Sequence, residues 1–286
     1  MSSDESGMKD AEAAQFCGYM SRHLVVLTGE YESYDDGKLF KRGVFAISGF
    51  ILRLHERYFW VTAGHCLTQL DVALANGALK VFDVGWADYF GMNAAHVHKI
   101  PFEYEAGCGF HVDDGEAGLD FGLIPLDYLT IQNLIKNDIK EVSRVNWEHQ
   151  HALTFSHYFL LGTPSHLVRE TAFPHGEIAA AIQPVMVALK RLDPDEVDDP
   201  PPEDWFVGRI HEAVDIESIA GMSGGPIYGF RTLPDGRLVY HVVALQSRWR
   251  PKTRVVMGCS MPYFAEMLHQ SMIQANEELS ATSDPM

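Results

Sequence analysis

Three short segments place a histidine, an aspartate and a serine in settings suited to acyl-transfer chemistry. The segments are Thr62–Cys66 (TAGHC), Leu119–Leu123 (LDFGL) and Gly221–Pro226 (GMSGGP). A serine hydroxyl attacks a carbonyl carbon only when a base takes its proton, and a neutral imidazole is such a base near pH 7. A buried carboxylate on the far side of the ring fixes its tautomer and stabilises the imidazolium that forms. The residue types therefore predict a serine nucleophile activated by a histidine.

The glycines around Ser223 indicate a second part of the same chemistry. Attack on a carbonyl creates an oxyanion, and each backbone N–H aimed at it is worth about 3–4 kcal/mol. Glycine lets the backbone of a tight turn approach a substrate closely, because it has no Cβ. The run of glycines beside the serine therefore predicts an exposed turn whose N–H groups face the substrate.

The histidine and serine segments, in this order and with the aspartate between them, resemble the motifs of the trypsin-like (chymotrypsin-fold) serine peptidases. The resemblance implies a catalytic triad of His65, Asp120 and Ser223 in a cleft between two β-barrels. It also implies an oxyanion hole formed by the N–H groups of Gly221 and Ser223. It extends over about residues 40–275, although the motif matches themselves are local. The departures described below are typical of a bacterial-type cytosolic member without the usual disulfides.

The acid of the triad has two neighbouring candidates in the chain. Asp113 and Asp114 lie close to Asp120 in sequence. Asp120 is preferred because it opens the apolar run Phe121–Leu126, which predicts a buried strand edge.

A different fold shares the serine motif. The spacing Gly221-x-Ser223-x-Gly225 also fits the nucleophile elbow of α/β-hydrolases, in which the acid and the histidine follow the serine in the chain. After Ser223 the only histidines are His241, inside an apolar strand, and His269, inside a predicted terminal helix. This alternative also leaves the TAGHC segment unexplained, so it is rejected.

The pattern of apolar residues agrees with the fold class that the resemblance implies: an all-β protein of two six-stranded antiparallel β-barrels with a C-terminal helix. Short Val-, Ile- and aromatic-rich stretches alternate with turn residues from Leu24 onwards, and apolar residues recur at helical spacing in Pro262–Leu279. A short helix is also predicted at about residues 9–20. The predicted organisation is an N-terminal extension (1–37), a first barrel with the histidine and the aspartate (38–140), a second barrel with the serine and the specificity pocket (141–262), and a terminal helix and tail (263–286).

The resemblance also assigns substrate-binding residues. It implies that Glu217, followed by Ser218, lies at the base of the primary specificity pocket, where an acidic group would favour Lys or Arg in the substrate. Ser247 takes the place that supports the buried aspartate, and Trp249 lies on the strand that forms a pocket wall. Arg254 falls on another wall, where an ion pair with Glu217 would neutralise the acidic floor. The basic preference therefore stays open.

Met222 stands beside the nucleophile, and two hypotheses for function remain open. Many digestive-type members carry an aspartate at this position that pairs with a newly cut N-terminus, so zymogen activation of that kind is not expected here. The first hypothesis is an active serine endopeptidase that cleaves protein or peptide substrates through an acyl-enzyme. The second is a catalytically silent or partner-activated peptide-binding module on the same fold, whose activating partner is unknown.

Charge and hydropathy limit the partners. The net charge is −17 and the pI is near 5.1, which argues against nucleic acid or an anionic membrane, since both require basic patches. The sequence contains no run of 18 or more apolar residues, so it predicts no transmembrane helix. Part of the acidity is concentrated in the Pro-rich segment Asp193–Asp204, which predicts an exposed loop.

Cysteines and histidines give two further expectations. The four cysteines, Cys17, Cys66, Cys108 and Cys259, lack the spacing of the usual disulfides of secreted relatives. Together with a polar start that lacks signal-peptide character, they predict reduced thiols in the cytoplasm. Pairs such as His96/His98 and His149/His151 have no accompanying metal motif, so neither a metal nor another cofactor is expected.

Overall fold

The computed structural model describes residues 4–54, 56–90, 94–115, 118–147, 154–172, 178–202 and 204–282. The predicted fold class is confirmed: the chain is mostly antiparallel β-structure, with a closed six-stranded barrel, a second sheet and few helices. The strands are β1 (Leu24–Asp35), β2 (Lys38–Leu54), β3 (Arg57–Thr62), β4 (Leu79–Ala87), β5 (Ile100–Pro101), β6 (Phe110–Asp114), β7 (Leu119–Pro125), β8 (His157–Gly162), β9 (Arg169–Ala172), β10 (Ile178–Ala181), β11 (Val185–Arg191), β12 (Phe206–Ile210), β13 (Pro226–Thr232), β14 (Leu238–Arg250) and β15 (Val255–Ser260). The α-helices are α1 (Asp4–Ser21), α2 (Gly64–Ala75), α3 (Tyr128–Lys136), α4 (Arg144–Trp147) and α5 (Met261–Thr282).

The first unit is a seven-stranded sheet in the order β5-β4-β1-β2-β3-β7-β6, rather than a six-stranded barrel. Strand β1 begins at Leu24, inside the stretch 1–37 that the sequence assigned to an extension. Its first residues, Leu24 to Leu27, are fully buried, and β1 pairs with both β2 and β4. Burial of these apolar side chains holds β1 in the middle of the sheet, so the first unit starts earlier than its predicted boundary.

The second unit is the six-stranded barrel that the sequence predicts. Its strands close in the order β11-β12-β15-β14-β13-β8, and β9 and β10 form a separate hairpin. Its interior is apolar and includes Leu160, Val187, Ile227 and Val256, all fully buried. In a barrel of this size the inward-facing side chains fill the interior, so the interior is a packed core.

A further apolar cluster joins the two units and both terminal helices. It contains Met20 of α1, Phe121 of β7, Tyr228 of β13 and Phe264 of α5. The rings of Phe121 and Phe264 stack with centroids 4.3 Å apart. Helix α5 covers the predicted Pro262–Leu279, and it packs directly against the neighbour of Asp120.

In the described part of the chain, no helix combines the length and the apolar character needed to cross a membrane.

Candidate active site

The end of β3 delivers His65 into the first turn of α2. This turn is tightly enclosed, because a Cβ on Gly64 would lie 1.9 Å from the carbonyl oxygen of Val112 on β6. Only glycine fits there, so β6 packs directly over the start of the helix. At the end of β3, the hydroxyl of Thr62 donates to the carbonyl oxygen of Ser48 at 2.8 Å. These contacts fix the backbone on both sides of Ala63.

Asp120 lies on β7 with only 4% of its surface exposed, and it accepts three hydrogen bonds. The backbone N–H of His65 donates to Oδ1 at 2.8 Å, and Nδ1–H of the same residue donates to Oδ2 at 2.7 Å. The hydroxyl of Ser247, from β14 of the second unit, also donates to Oδ2. The carboxylate therefore holds His65 by one bond to its backbone and one to its ring, and it accepts a third bond from across the interface. Asp113, the register partner of Asp120 on β6, is exposed and does not take this place.

The electrostatics of the pair follow from these bonds. Burial alone would lower the pKa of His65, but the hydrogen bond between its ring and Asp120, together with the contact between Nε2 and the Cys66 thiol, outweighs that effect and raises the pKa. Burial would likewise raise the pKa of Asp120, and the hydrogen bonds from His65 and Ser247 reverse this and lower it. Each group thus stabilises the charged form of the other, which is what a base that becomes an imidazolium during a reaction requires.

The turn that carries Ser223 lies against the same piece of β3. A Cβ on Gly224 would come within 2.0 Å of Thr62 Oγ1 and 2.9 Å of the Ala63 nitrogen. The residue also has φ = +86°, a conformation that favours glycine. The backbone beside Ser223 is therefore in close contact with the segment that leads into His65, although the two residues come from different units.

The side chain of Met222 attaches this turn to the core of the second barrel. It is fully buried there, and the backbone N–H of Met222 donates to Ile219 O at 3.0 Å. An apolar anchor therefore stands where digestive-type peptidases have an aspartate.

Hydrogen bonds orient the peptides on either side of the predicted oxyanion hole. The carbonyl of Ala220 accepts from Ser165 N at 2.7 Å, and that of Met222 accepts from Gly225 N at 2.9 Å. In a trans peptide the N–H points opposite to the C=O, so the N–H groups of Gly221 and Ser223 point away from these partners. No hydrogen bond within the described residues uses either of these two N–H groups.

Ser223 and His65 are not hydrogen-bonded to each other. Ser223 is half-buried, and no hydrogen bond among the described residues involves its hydroxyl. His65 Nε2 instead lies 3.5 Å from the thiol of Cys66. The sequence predicts Cys66 only as a reduced thiol, and no pattern in the chain indicates that this thiol lies beside the ring. Catalytic hydrogen bonds are often long or unformed without substrate, so the position of the ring does not exclude the pair.

The predicted specificity residues lie in the segment before the serine turn, on β14 and just before β15. Glu217 is exposed, and the Ser218 hydroxyl accepts from Ala220 N at 3.1 Å. Trp249 is half-buried against the core of the second barrel. The expected ion pair between Arg254 and Glu217 does not form in the described structure, because the Arg254 guanidinium donates to Val214 O at 2.7 Å.

The remaining predicted features lie outside this site. The acidic segment after Asp193 is largely exposed, and Arg250 donates to the backbone oxygens of Asp198 and Asp199 and to the carboxylate of Asp199. All four cysteines are free thiols. His149 and His151 fall outside the described residues, and no group of three or more metal-ligating side chains occurs within them.

Comparison with protein-family models and with curated proteins finds no match. Among solved structures, the chain is similar to HL collagenase, with 12% identity and a TM-score of 0.43 over 86% of this chain and 92% of that chain. It is also similar to a Glu endopeptidase in complex with MPD, with 13% identity and a TM-score of 0.44 over 88% of this chain and 90% of that chain. Both are chymotrypsin-fold serine peptidases. Likenesses of this size do not identify an activity, so the chemistry follows from the site itself.

Proposed function

We propose that the protein is a serine endopeptidase that hydrolyses peptide bonds of protein or peptide substrates with Ser223, His65 and Asp120. The observation that carries the proposal is the chain of hydrogen bonds from Ser247 through Asp120 to Nδ1 of His65. Because Nδ1 faces Asp120, Nε2 is the ring atom that accepts a proton when the imidazole is neutral, and the serine turn packs against the residues that precede the histidine.

The reaction uses these groups in sequence. Nε2 of His65 takes the hydroxyl proton as Ser223 Oγ attacks the carbonyl carbon, and Asp120 stabilises the imidazolium. The N–H groups of Gly221 and Ser223 stabilise the oxyanion of the tetrahedral intermediate. The imidazolium returns its proton to the amine that leaves as the C–N bond breaks, which gives an acyl-enzyme on Ser223. A water molecule, deprotonated by His65, then attacks the acyl carbon, and the carboxylic acid product and free serine result.

The substrate would lie along the β14 wall of the second barrel. Glu217 and Ser218 precede the serine turn in the chain, Trp249 lies on β14, and these residues would contact the substrate residue before the cleaved bond. Because Glu217 has no cationic partner among the described residues, its charge remains available to a Lys or Arg side chain. No cofactor is required by this chemistry. Four free thiols suit a reducing compartment, so the proposed location is the cytoplasm.

A fluorophosphonate probe tests the proposal, because it reacts with an activated serine and leaves a covalent adduct. We expect one adduct on the wild type by intact-protein mass, mapped to Ser223, and none on Ser223→Ala or His65→Ala. Ser156→Ala is the matched control, since it removes an exposed hydroxyl that donates to Phe230 O in the same unit. It should label at the wild-type rate.

The same experiment distinguishes the alternative of a silent or partner-activated peptide-binding module. The absence of a hydrogen bond between Ser223 and His65 is the observation that favours this alternative. If folded wild-type protein takes up no label after prolonged exposure, the endopeptidase proposal is refuted for the isolated chain. Peptide binding without cleavage would then support the module.

A further inference from the structure

We propose that Ser48 is a positioning residue for the oxyanion turn, a role that rests on the proposed function. Ser48 lies on β2 of the first unit and is fully buried. Its hydroxyl donates across the interface to the carbonyl oxygen of Gly221 at 3.2 Å. It touches neither the nucleophile nor the histidine, so it would act only by holding the turn.

The proton positions in this cluster follow from the partners. Gly221 O can only accept, so the single proton of the Ser48 hydroxyl points to it. Ser48 Oγ in turn accepts from the backbone N–H of Thr163 at 3.0 Å. It lies 3.0 Å from Thr163 Oγ1, and because its own proton is already used, the Thr163 hydroxyl is the donor. Two donors and one acceptor leave the Ser48 hydroxyl with a fixed orientation in a fully buried position.

Gly221 is the residue of the turn that most needs an outside anchor. It has φ = +91°, and glycine moves between left- and right-handed backbone at little cost. The Ala220–Gly221 peptide is held at its carbonyl by Ser165 N and the Met222–Ser223 peptide at its carbonyl by Gly225 N, and both donors belong to the second unit. The peptide between Gly221 and Met222 is held at its N–H by Ile219 O, 3.0 Å from the Met222 nitrogen, and at its carbonyl by the Ser48 side chain of the first unit.

The consequence concerns the two N–H groups that would bind the oxyanion. If Gly221 O is released, the Gly221–Met222 peptide, which links the two donors, is held only by the bond from Met222 N–H to Ile219 O. It can then tilt, which changes the angle between the N–H groups of Gly221 and Ser223. The hydroxyl of Ser48 therefore keeps both donors converged on one point. It also makes this geometry depend on the contact between the two units.

The first test measures fluorophosphonate inactivation kinetics of Ser48→Ala, with the maximal rate constant and the probe affinity determined separately. We expect the maximal rate constant to fall about tenfold or more while the probe affinity stays within about twofold, because misplacing an oxyanion donor impairs the reaction and not the binding. Ser48→Cys fills the space with a weak donor and should behave in the same way. It is the substitute if the alanine variant does not fold.

The matched control is Thr28→Val. Thr28 lies on the neighbouring strand β1, is buried, and donates to Phe45 O at 2.8 Å, so it loses a comparable bond away from the turn. It should keep the wild-type inactivation rate even if its stability falls. Equal rates for the wild type and both Ser48 variants would overturn the proposal, as would an equal fall in Thr28→Val.

A second measurement keeps the inference separate from the proposed function. Amide hydrogen exchange of the peptide spanning 219–225 should be about tenfold faster in the Ser48 variants than in the wild type and unchanged in Thr28→Val. If the wild type takes up no fluorophosphonate, the endopeptidase proposal fails while exchange still tests the anchor. Unchanged exchange in the Ser48 variants would overturn the anchor whether or not the protein labels.

Discussion

Replacement of Asp120 by asparagine is the sharpest test of the proposed chemistry, because the structure dictates which way the amide must face. The Oδ1 position receives the backbone N–H of His65, which can only donate. An NH2 group placed there would set two donors against each other. The amide oxygen therefore occupies the Oδ1 position, and the NH2 group takes the place of Oδ2.

The amide NH2 then faces the ring nitrogen that normally donates. Nδ1 of His65 lies 2.7 Å from Oδ2 in the native chain, so it must become an acceptor opposite the amide. A neutral imidazole that accepts at Nδ1 carries its proton at Nε2, and it can no longer take the proton of Ser223. The Ser247 hydroxyl is free to rotate and accept from the new NH2 group. The variant should fold normally with the inactive tautomer.

The expected loss is about 10⁴-fold in the reaction rate near pH 7, or about 5 kcal/mol of transition-state stabilisation. The assay is the fluorophosphonate inactivation rate, with circular dichroism and urea unfolding to establish that Asp120→Asn is folded. Asp113→Asn is the control, because Asp113 is the exposed register partner on β6 and receives the same chemical change. A rate for Asp120→Asn within about threefold of the wild type, or an equal loss in Asp113→Asn, would refute the reasoning.

Two further predictions concern stability. His23 donates from Nδ1 to Lys140 O at 2.8 Å, accepts at Nε2 from the Tyr240 hydroxyl at 2.7 Å, and burial lowers its pKa to about 4. The unfolded chain binds the proton at about pH 6.5, so the free energy of unfolding of the wild type should fall by about 3 kcal/mol between pH 6.5 and 4. Urea unfolding of His23→Gln at the same pH values should lack this fall, and the same pH dependence in the variant and the wild type would contradict the prediction. Gly224→Ala puts a Cβ 2.0 Å from Thr62 Oγ1 at φ = +86°, whereas Gly236→Ala has nearly the same φ, +85°, and open space around its Cβ. The free energy of unfolding should therefore fall by about 1–3 kcal/mol more in Gly224→Ala than in Gly236→Ala. Equal losses in urea unfolding would show that the clash is relieved.

The parts of the site that sequence reasoning reached are those encoded locally. The string that ends β3 places His65 at the start of a helix, and the apolar run after Asp120 makes the acid the first buried position of a strand. The pairing of these two residues then needs only that β3 and β7 are neighbours, as they are. The glycines around Ser223 likewise indicate the local backbone, because a positive φ or a close approach of neighbouring atoms excludes residues with a Cβ.

Contacts between distant segments lay beyond that reasoning. Alternation of apolar residues does not say which strands lie side by side, so β1 was assigned to an extension although its buried residues pair on both edges. The sequence leaves open whether Arg254 pairs with Glu217, and in the structure its guanidinium donates to the carbonyl oxygen of Val214. Ser48 carries no motif, and its importance becomes visible only when the second unit brings the carbonyl of Gly221 to it.

The hydrogen bonds between the two units have a consequence for the newly made chain. Ser247, which completes the set of donors to Asp120, lies on β14, the penultimate strand of the barrel. A ribosome-bound chain that has emerged only as far as β13 already contains His65, Asp120 and Ser223, but it has neither the last donor nor a closed barrel to support the serine turn. The proposed site therefore assembles only after β14 and β15 have emerged and the barrel has closed, so a chain still short of these strands would lack the activity that we propose.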